Sequence, residues 1–143
     1  MPKTYQENGL NILFPDNWKL DEDKDSQTVT FESPVGAFLT VTRLTEYEPG
    51  SAIDQVKAAM REEYDEIEEE AVSIAIGDAE ISGYSLKWVY LDLIITSVLV
   101  QIEKENGQYL VQYQAEDRDM TQLETVFEAM LHCVVANGPS LSE

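Results

Sequence analysis

The stretch YSLKWVYLDLIITSVLVQIEKENGQYLVQYQAE, residues 84–116, decides what kind of fold this chain can adopt. Its apolar and aromatic side chains recur at every second position, the period of a pleated strand. Tyr84, Leu86, Trp88 and Tyr90 share one face of the first run, while Lys87, Val89 and Leu91 share the other. A turn falls at Asp92. The apolar run LIITSVLV at 93–100 reads as a buried strand, because it is far short of the ~20 residues that cross a bilayer. Asn106-Gly107 is a strong hairpin signal, after which Tyr109, Val111 and Tyr113 alternate in the same way. Strands are therefore expected near 80–91, 94–104 and 108–115, with another near 70–76 before a turn at Gly77-Asp78. Neighbouring strands joined by such short turns run antiparallel.

Upstream, TYQENGLNILF reads as two short extended pieces about a turn at Asn8-Gly9, and FPDNW turns the chain so that Trp18 enters the next extended piece. Thr28 to Glu32 alternates with Val29 and Phe31 on one face, SPVG at 33–36 is a turn, and Ala37 to Arg43 places Leu39 and Val41 opposite Thr40 and Thr42. Two segments change to helical spacing. Ser51-Ala-Ile-Asp54 has capping-box form, and Ile53, Val56, Met60, Tyr64 and Ile67 recur at intervals of three and four. The opposite face of that helix is charged through Arg61, Glu62, Asp65, Glu66 and Glu69. A closing helix, capped by Asp119 or Thr121, carries the stripe Met120, Leu123, Val126, Phe127, Met130 and Leu131. Residues 135–143, ending in NGPSLSE, are expected as a flexible tail.

These elements define an α+β fold, a mainly antiparallel sheet with helices packed on it. Because both faces of the central strands are apolar, helices are expected on both. Val29, Leu39, Val41, Ile53, Met60, Leu123 and Phe127 are the residues whose burial such a fold requires.

The pattern resembles the PsbP-like proteins. The residues that carry the resemblance are Phe14, Pro15 and Trp18, the phrase DAEISGYSLKWVY at 78–90, and the ending LETVFEAML at 123–131, so that it spans Tyr5 to Val134. It implies an α/β/α sandwich about a twisted antiparallel sheet. It also implies a binding or assembly factor, since members of the superfamily act in that way and some bacterial ones are chaperones for secreted effectors. The family has no shared site motif, so no functional residue is carried over.

A length of 143 residues suits one domain with its own core. Nine Lys and Arg against 28 Asp and Glu give a formal charge of −19, which opposes binding to phosphate backbones and anionic membrane surfaces. A basic protein partner, or loosely bound cations, fits that field instead. Cys133 stands alone, so no intrachain disulfide can form, and MPKTYQENGL lacks the basic-then-apolar form of a signal peptide. A cytoplasmic monomer or homodimer with no cofactor is expected.

Four stretches ask for chemistry. DEDKDSQTVTFE at 21–32 places Asp21, Asp23, Asp25 and Glu32 close to a calcium-loop pattern, but Ser26 replaces the required glycine and the flanks read as strands. An acidic hairpin turn is the better reading, with no metal. His132 and Cys133 are adjacent on a helix and so point about 100° apart, which does not make a nucleophile pair. Residues 62–70 hold seven acidic side chains, read as a solvated helix face on which Glu62, Glu66 and Glu69 could dock a basic partner. Tyr84, Trp88 and Tyr90 are the candidates for an uncovered aromatic groove. The expected function is a non-enzymatic protein-binding module, an adaptor or assembly factor. A secretion-effector chaperone or immunity-type protein is the alternative. A small carboxylate-based enzyme is the third reading, which a pocket holding a carboxyl group of strongly raised pKa would support.

Overall fold

In a computed structural model, residues 2–7, 9–44, 51–76, 78–104 and 107–136 are described. Asn8, Gly77, Asn106, the Ser51 side chain and the tail 137–143, on which parts of the expected turns, cap and tail fall, lie outside the described residues. Val135 and Ala136, expected in the tail, belong instead to the last helix.

The chain runs β1 (Lys3–Glu7), β2 (Leu10–Phe14), β3 (Lys19–Asp23), β4 (Thr28–Glu32), β5 (Phe38–Leu44), α1 (Ser51–Glu63), β6 (Glu68–Ile76), β7 (Ala79–Tyr90), β8 (Leu93–Lys104), β9 (Gly107–Glu116) and α2 (Asp117–Ala136). β1 and β2 form a hairpin of their own, and the other strands form one sheet in the order β3-β4-β5-β9-β8-β7-β6. Every described pairing is antiparallel. The architecture is α+β, as the alternation at 84–116 requires.

Local chemistry explains the turns. Leu91 and Asp92 join β7 to β8 with φ of 51° and 67°, and Tyr90 pairs with Leu93, the geometry of a two-residue type I′ hairpin. Within β7 no side chain fits at Gly83, where a Cβ would run into the Leu99 carbonyl oxygen. The 21–32 stretch is β3, a turn and β4. Asp23 Oδ1 accepts from the backbone N–H groups of Asp25 at 3.0 Å and Ser26 at 3.4 Å, while Glu32 pairs with Lys19 at the far end of the hairpin.

Alternate residues of the central strands enter two separate cores. Val98, Val100 and Ile102 of β8 join Tyr109, Val111 and Tyr113 of β9 in the first, where Phe127, Met130 and Leu131 of α2 pack with Ile12 and Phe14 of β2. Leu99 of β8 and Leu110 of β9 join the second, with Leu86 and Trp88 of β7 and Ala52, Ile53 and Met60 of α1. Trp18, turned in by its N–H bond to the Pro15 carbonyl at 3.1 Å, meets the Phe127 ring edge-on at 5.9 Å. Val29, Leu39, Val41, Ile53, Met60 and Phe127 are buried as expected.

Three expectations need correction. Leu123 is only half-buried, packed at the margin of the first core. The helical spacing through Tyr64 and Ile67 does not make them helical. α1 ends at Glu63, Tyr64 closes its last turn by donating to the Met60 carbonyl at 2.9 Å, and β6 begins at Glu68. A helix carried through seven acids would pile negative charge on the negative end of its dipole. Finally, LIITSVLV is not buried throughout: Leu93 and Ile94 are 38% and 44% exposed, and full burial begins at Thr96. The reason lies in strand lengths. β9 stops pairing with β8 at Ile95 and β6 stops pairing with β7 at Lys87, so the end of the β7–β8 hairpin overhangs both neighbours.

Candidate functional site

The overhang creates the site. From Trp88 to Ile94 the hairpin is paired only with itself among the described residues, and from Val89 to Ile94 every side chain is exposed. Val89 is 68% exposed, Tyr90 53% and Leu91 77%, a continuous apolar tip on a chain of charge −19. Contiguous apolar surface of this kind, bordered by charge, marks interaction sites on soluble proteins.

Beside the tip the α1–β6 link crosses the bare edge of β7. Tyr64 leaves the helix there and stacks on Trp88, with ring centroids 4.6 Å apart and planes at 25°. Tyr90 meets the same Tyr64 ring edge-on at 6.1 Å. The three rings wall an open cleft of about 610 Å³ whose other lining residues include Glu63, Asp65, Glu66 and Glu68 on the acidic side and Lys87 across from them. Trp88 is 4% exposed, and its indole N–H finds no acceptor among the described residues. Burial, and then the charge of Glu63, push the Tyr64 hydroxyl above its usual pKa. Aromatic faces within a ring of carboxylates attract a cation through both the ring quadrupole and plain charge.

Of the six residues singled out from sequence, the structure brings together Trp88, Tyr90 and Glu66. The other three are not brought into the cleft. Glu62 is exposed on α1. Glu69 sits in β6, where Lys57 Nζ at 3.0 Å and Arg61 Nη2 at 2.7 Å clasp its carboxylate and tie α1 to the sheet. The hydrogen bond from Arg61, then that from Lys57, holds its carboxyl below the usual range. Tyr84 lies under Lys57, whose Nζ is 3.9 Å from the ring centre. The acidic run is thus not one helix face but a helix end, a link and a strand start. Tyr64, Glu63, Asp65 and Glu68 were missed as site residues. The signal that could have found Tyr64 was its position at the head of the densest acidic run, where a helix has reason to stop.

Two further groups lie apart from the cleft: the Cys133 thiol, and a pocket carboxyl, Glu128, of the kind named above for a carboxylate enzyme. Cys133 is buried, which raises its thiol pKa, and faces the first core. A cavity beside α2 holds Glu128, whose carboxyl is pushed up by burial and by Glu124, and Tyr113, whose hydroxyl is pushed up to about 12 by burial and the same two charges. No described helix is long and apolar enough to cross a membrane.

The sequence matches no family model and no curated protein. Solved structures match it in shape. A protein from Bacteroides thetaiotaomicron VPI-5482 superposes with a TM-score of 0.61 at 13% identity, over 92% of this chain and 47% of that one, so this chain spans about half its length. CyanoP, the cyanobacterial PsbP of Synechocystis sp. PCC 6803, gives 0.57 at 11% identity over 92% and 90% of the two chains. PA94, a protein of unknown function from Pseudomonas aeruginosa, gives 0.51 at 14% identity over 99% of both. None of the three is named for an enzymatic activity. The class is an α+β domain built on an antiparallel sheet. The particular fold is PsbP-like.

Proposed function

We propose that this chain is a non-enzymatic protein-binding module that holds a basic partner at the β7–β8 tip and the cleft beside it. The observation that carries this reading is the overhang, which leaves Val89 and Tyr90 exposed in one cleft with the carboxylates of Glu63, Asp65, Glu66 and Glu68, and Leu91 exposed at the turn. The apolar tip supplies burial on binding, at ~25 cal/mol per Å² before the losses of association. The acidic rim supplies steering and selects positive charge. A Lys or Arg side chain of the partner would lie against Tyr64 and Tyr90, with its charge among the carboxylates. The resemblance to binding and assembly factors points the same way.

A two-sided sandwich goes with this reading, with α1 over one face of the sheet and α2 with the β1–β2 hairpin over the other. The separation of Leu99 from Val98 and Val100 into different cores supports it. A cytoplasmic setting suits the single buried thiol of Cys133.

The test is capture from lysate by the intact protein at low and high salt, repeated with Tyr90→Ala and with Glu66→Lys. A basic partner that is lost with either substitution and weakens at high salt supports the reading. Capture that both variants retain overturns it. A partner that survives high salt but is lost with Tyr90→Ala would favour the chaperone alternative, with apolar contact as the main term.

A further inference from the structure

The two outer strands of the seven-stranded sheet are built differently. β3, at one side, is five residues long and carries charge at Lys19, Asp21, Glu22 and Asp23, the ordinary protection of a sheet edge. β6, at the other, is nine residues long, and after Glu68, Glu69 and Glu70 its remaining sequence AVSIAI has no charge and no proline. Among the described residues β6 pairs with β7 alone. In an antiparallel strand alternate residues turn both backbone groups outward, so about half of β6 presents N–H and C=O groups to whatever lies beside it.

The uncharged half of this edge is flanked by a cavity on each face. One, of about 470 Å³, runs along residues 72–75 on the side of α2, with Met120 and Tyr113 among its walls. The other, of about 340 Å³, runs along residues 71–73 on the side of Tyr84, so that Val72 and Ser73 line both. Side chains of a strand alternate between faces. A strand laid along β6 would therefore direct successive side chains toward one cavity and then the other. The exposed residues of the uncharged half of β6, Ala71, Ser73 and Ala75, are small and leave that approach open.

We infer that β6 accepts an extended segment of a partner protein as an added antiparallel strand, basic opposite Glu68–Glu70 and small or apolar along Ala71–Ile76. Main-chain hydrogen bonds supply the affinity in this mode, and the alternating cavities and the glutamates supply the selection. A second copy of this chain fits the edge less well. Centring the uncharged stretch of two copies on each other would set the glutamates of each beside Asp78 of the other, between two chains of −19 each. The edge meets the cleft at Glu68, which belongs to both, but its occupation requires neither Leu91 nor Trp88.

The probe is a ten-residue capped peptide, alternating valine and threonine, with three lysines at its C-terminal end. Amide hydrogen exchange of the full chain is followed with and without it. Slowing by about tenfold or more at alternate residues within 71–76 is expected. Two versions of the peptide, N-methylated on one or the other set of alternate amides, should differ, with one binding and one inert. Glu70→Lys should weaken binding several-fold, whereas Leu91→Ser should leave it unchanged. No slowing in 71–76, or equal binding of both methylated peptides, overturns the proposal. Protection that appears without peptide and grows with protein concentration overturns it in favour of a second copy. Loss of peptide binding in Leu91→Ser would mean that the peptide sits at the tip, which overturns the edge site while leaving the proposed function standing.

Discussion

Tyr64 and Trp88 stack with their ring centroids 4.6 Å apart across the junction where the first helix gives way to the acidic link. The pair joins two segments that pack on one core, and it also forms the wall of the cleft. Stability and the proposed binding therefore meet in the same two rings. Tyr64→Ala should lower stability by about 1–3 kcal/mol, from lost stacking and uncovered indole surface. Urea unfolding followed by tryptophan fluorescence reads this, and Trp88 should become more solvated in the native baseline. Tyr64→Phe keeps the stack, so it should hold stability and partner capture near those of the parent chain.

How far the sequence reveals all this depends on the kind of information. The alternation of Tyr109, Val111 and Tyr113 was legible because the pleat of a strand fixes side-chain direction residue by residue. Turn positions were legible for the same local reason. Tyr64 was not, because its spacing from Ile53, Val56 and Met60 satisfies a helix as well as a link folded back on the helix's own core. The overhang could not be read at all. It follows from where β9 and β6 stop, relative to a hairpin far from either in sequence, and no property of Val89 or Leu91 alone encodes that.

Two carboxylates should act on stability with opposite sign as pH changes. Glu69 has a lowered folded pKa through Arg61 and Lys57, so its contribution is present above its ordinary value of 4.5 and is lost as pH falls through the folded value. Glu128 has a raised folded pKa, so ionising it near neutral pH works against folding, and that effect disappears in acid. Glu69→Gln should thus destabilise at pH 7 and be nearly neutral near pH 3. Glu128→Gln should stabilise at pH 7 and be nearly neutral near pH 3. Urea midpoints of the three proteins at both pH values check the signs.

Cys133 lies 2% exposed against the first core, and burial holds its thiol in the protonated form. Replacing it by serine places a hydroxyl in an apolar setting, so Cys133→Ser should lose about 1–3 kcal/mol of stability. Partner capture at temperatures well below the midpoint should not change. A thiol reagent should react with the parent chain only at the rate of unfolding. Fast labelling of the native protein would show that the thiol is accessible and that its role is not packing alone.

Leu91 sets stability against the proposed function at one position. It holds φ of 51° in a type I′ turn, where left-handed backbone costs a residue with a Cβ ~1–2 kcal/mol and where asparagine is favoured. It is also 77% exposed, so its side chain gains little burial in the isolated protein to offset that strain. A leucine kept for folding would have neither property. Leu91→Asn should raise stability by about 0.5–1 kcal/mol through relief of the turn, measurable as a higher urea midpoint at unchanged slope. The same substitution removes the most exposed apolar side chain of the tip and should weaken partner capture. A variant that is more stable and captures as well as the parent chain would take the hairpin tip out of the binding surface. A variant that is more stable and captures less would show that the strained leucine is held there for its partner.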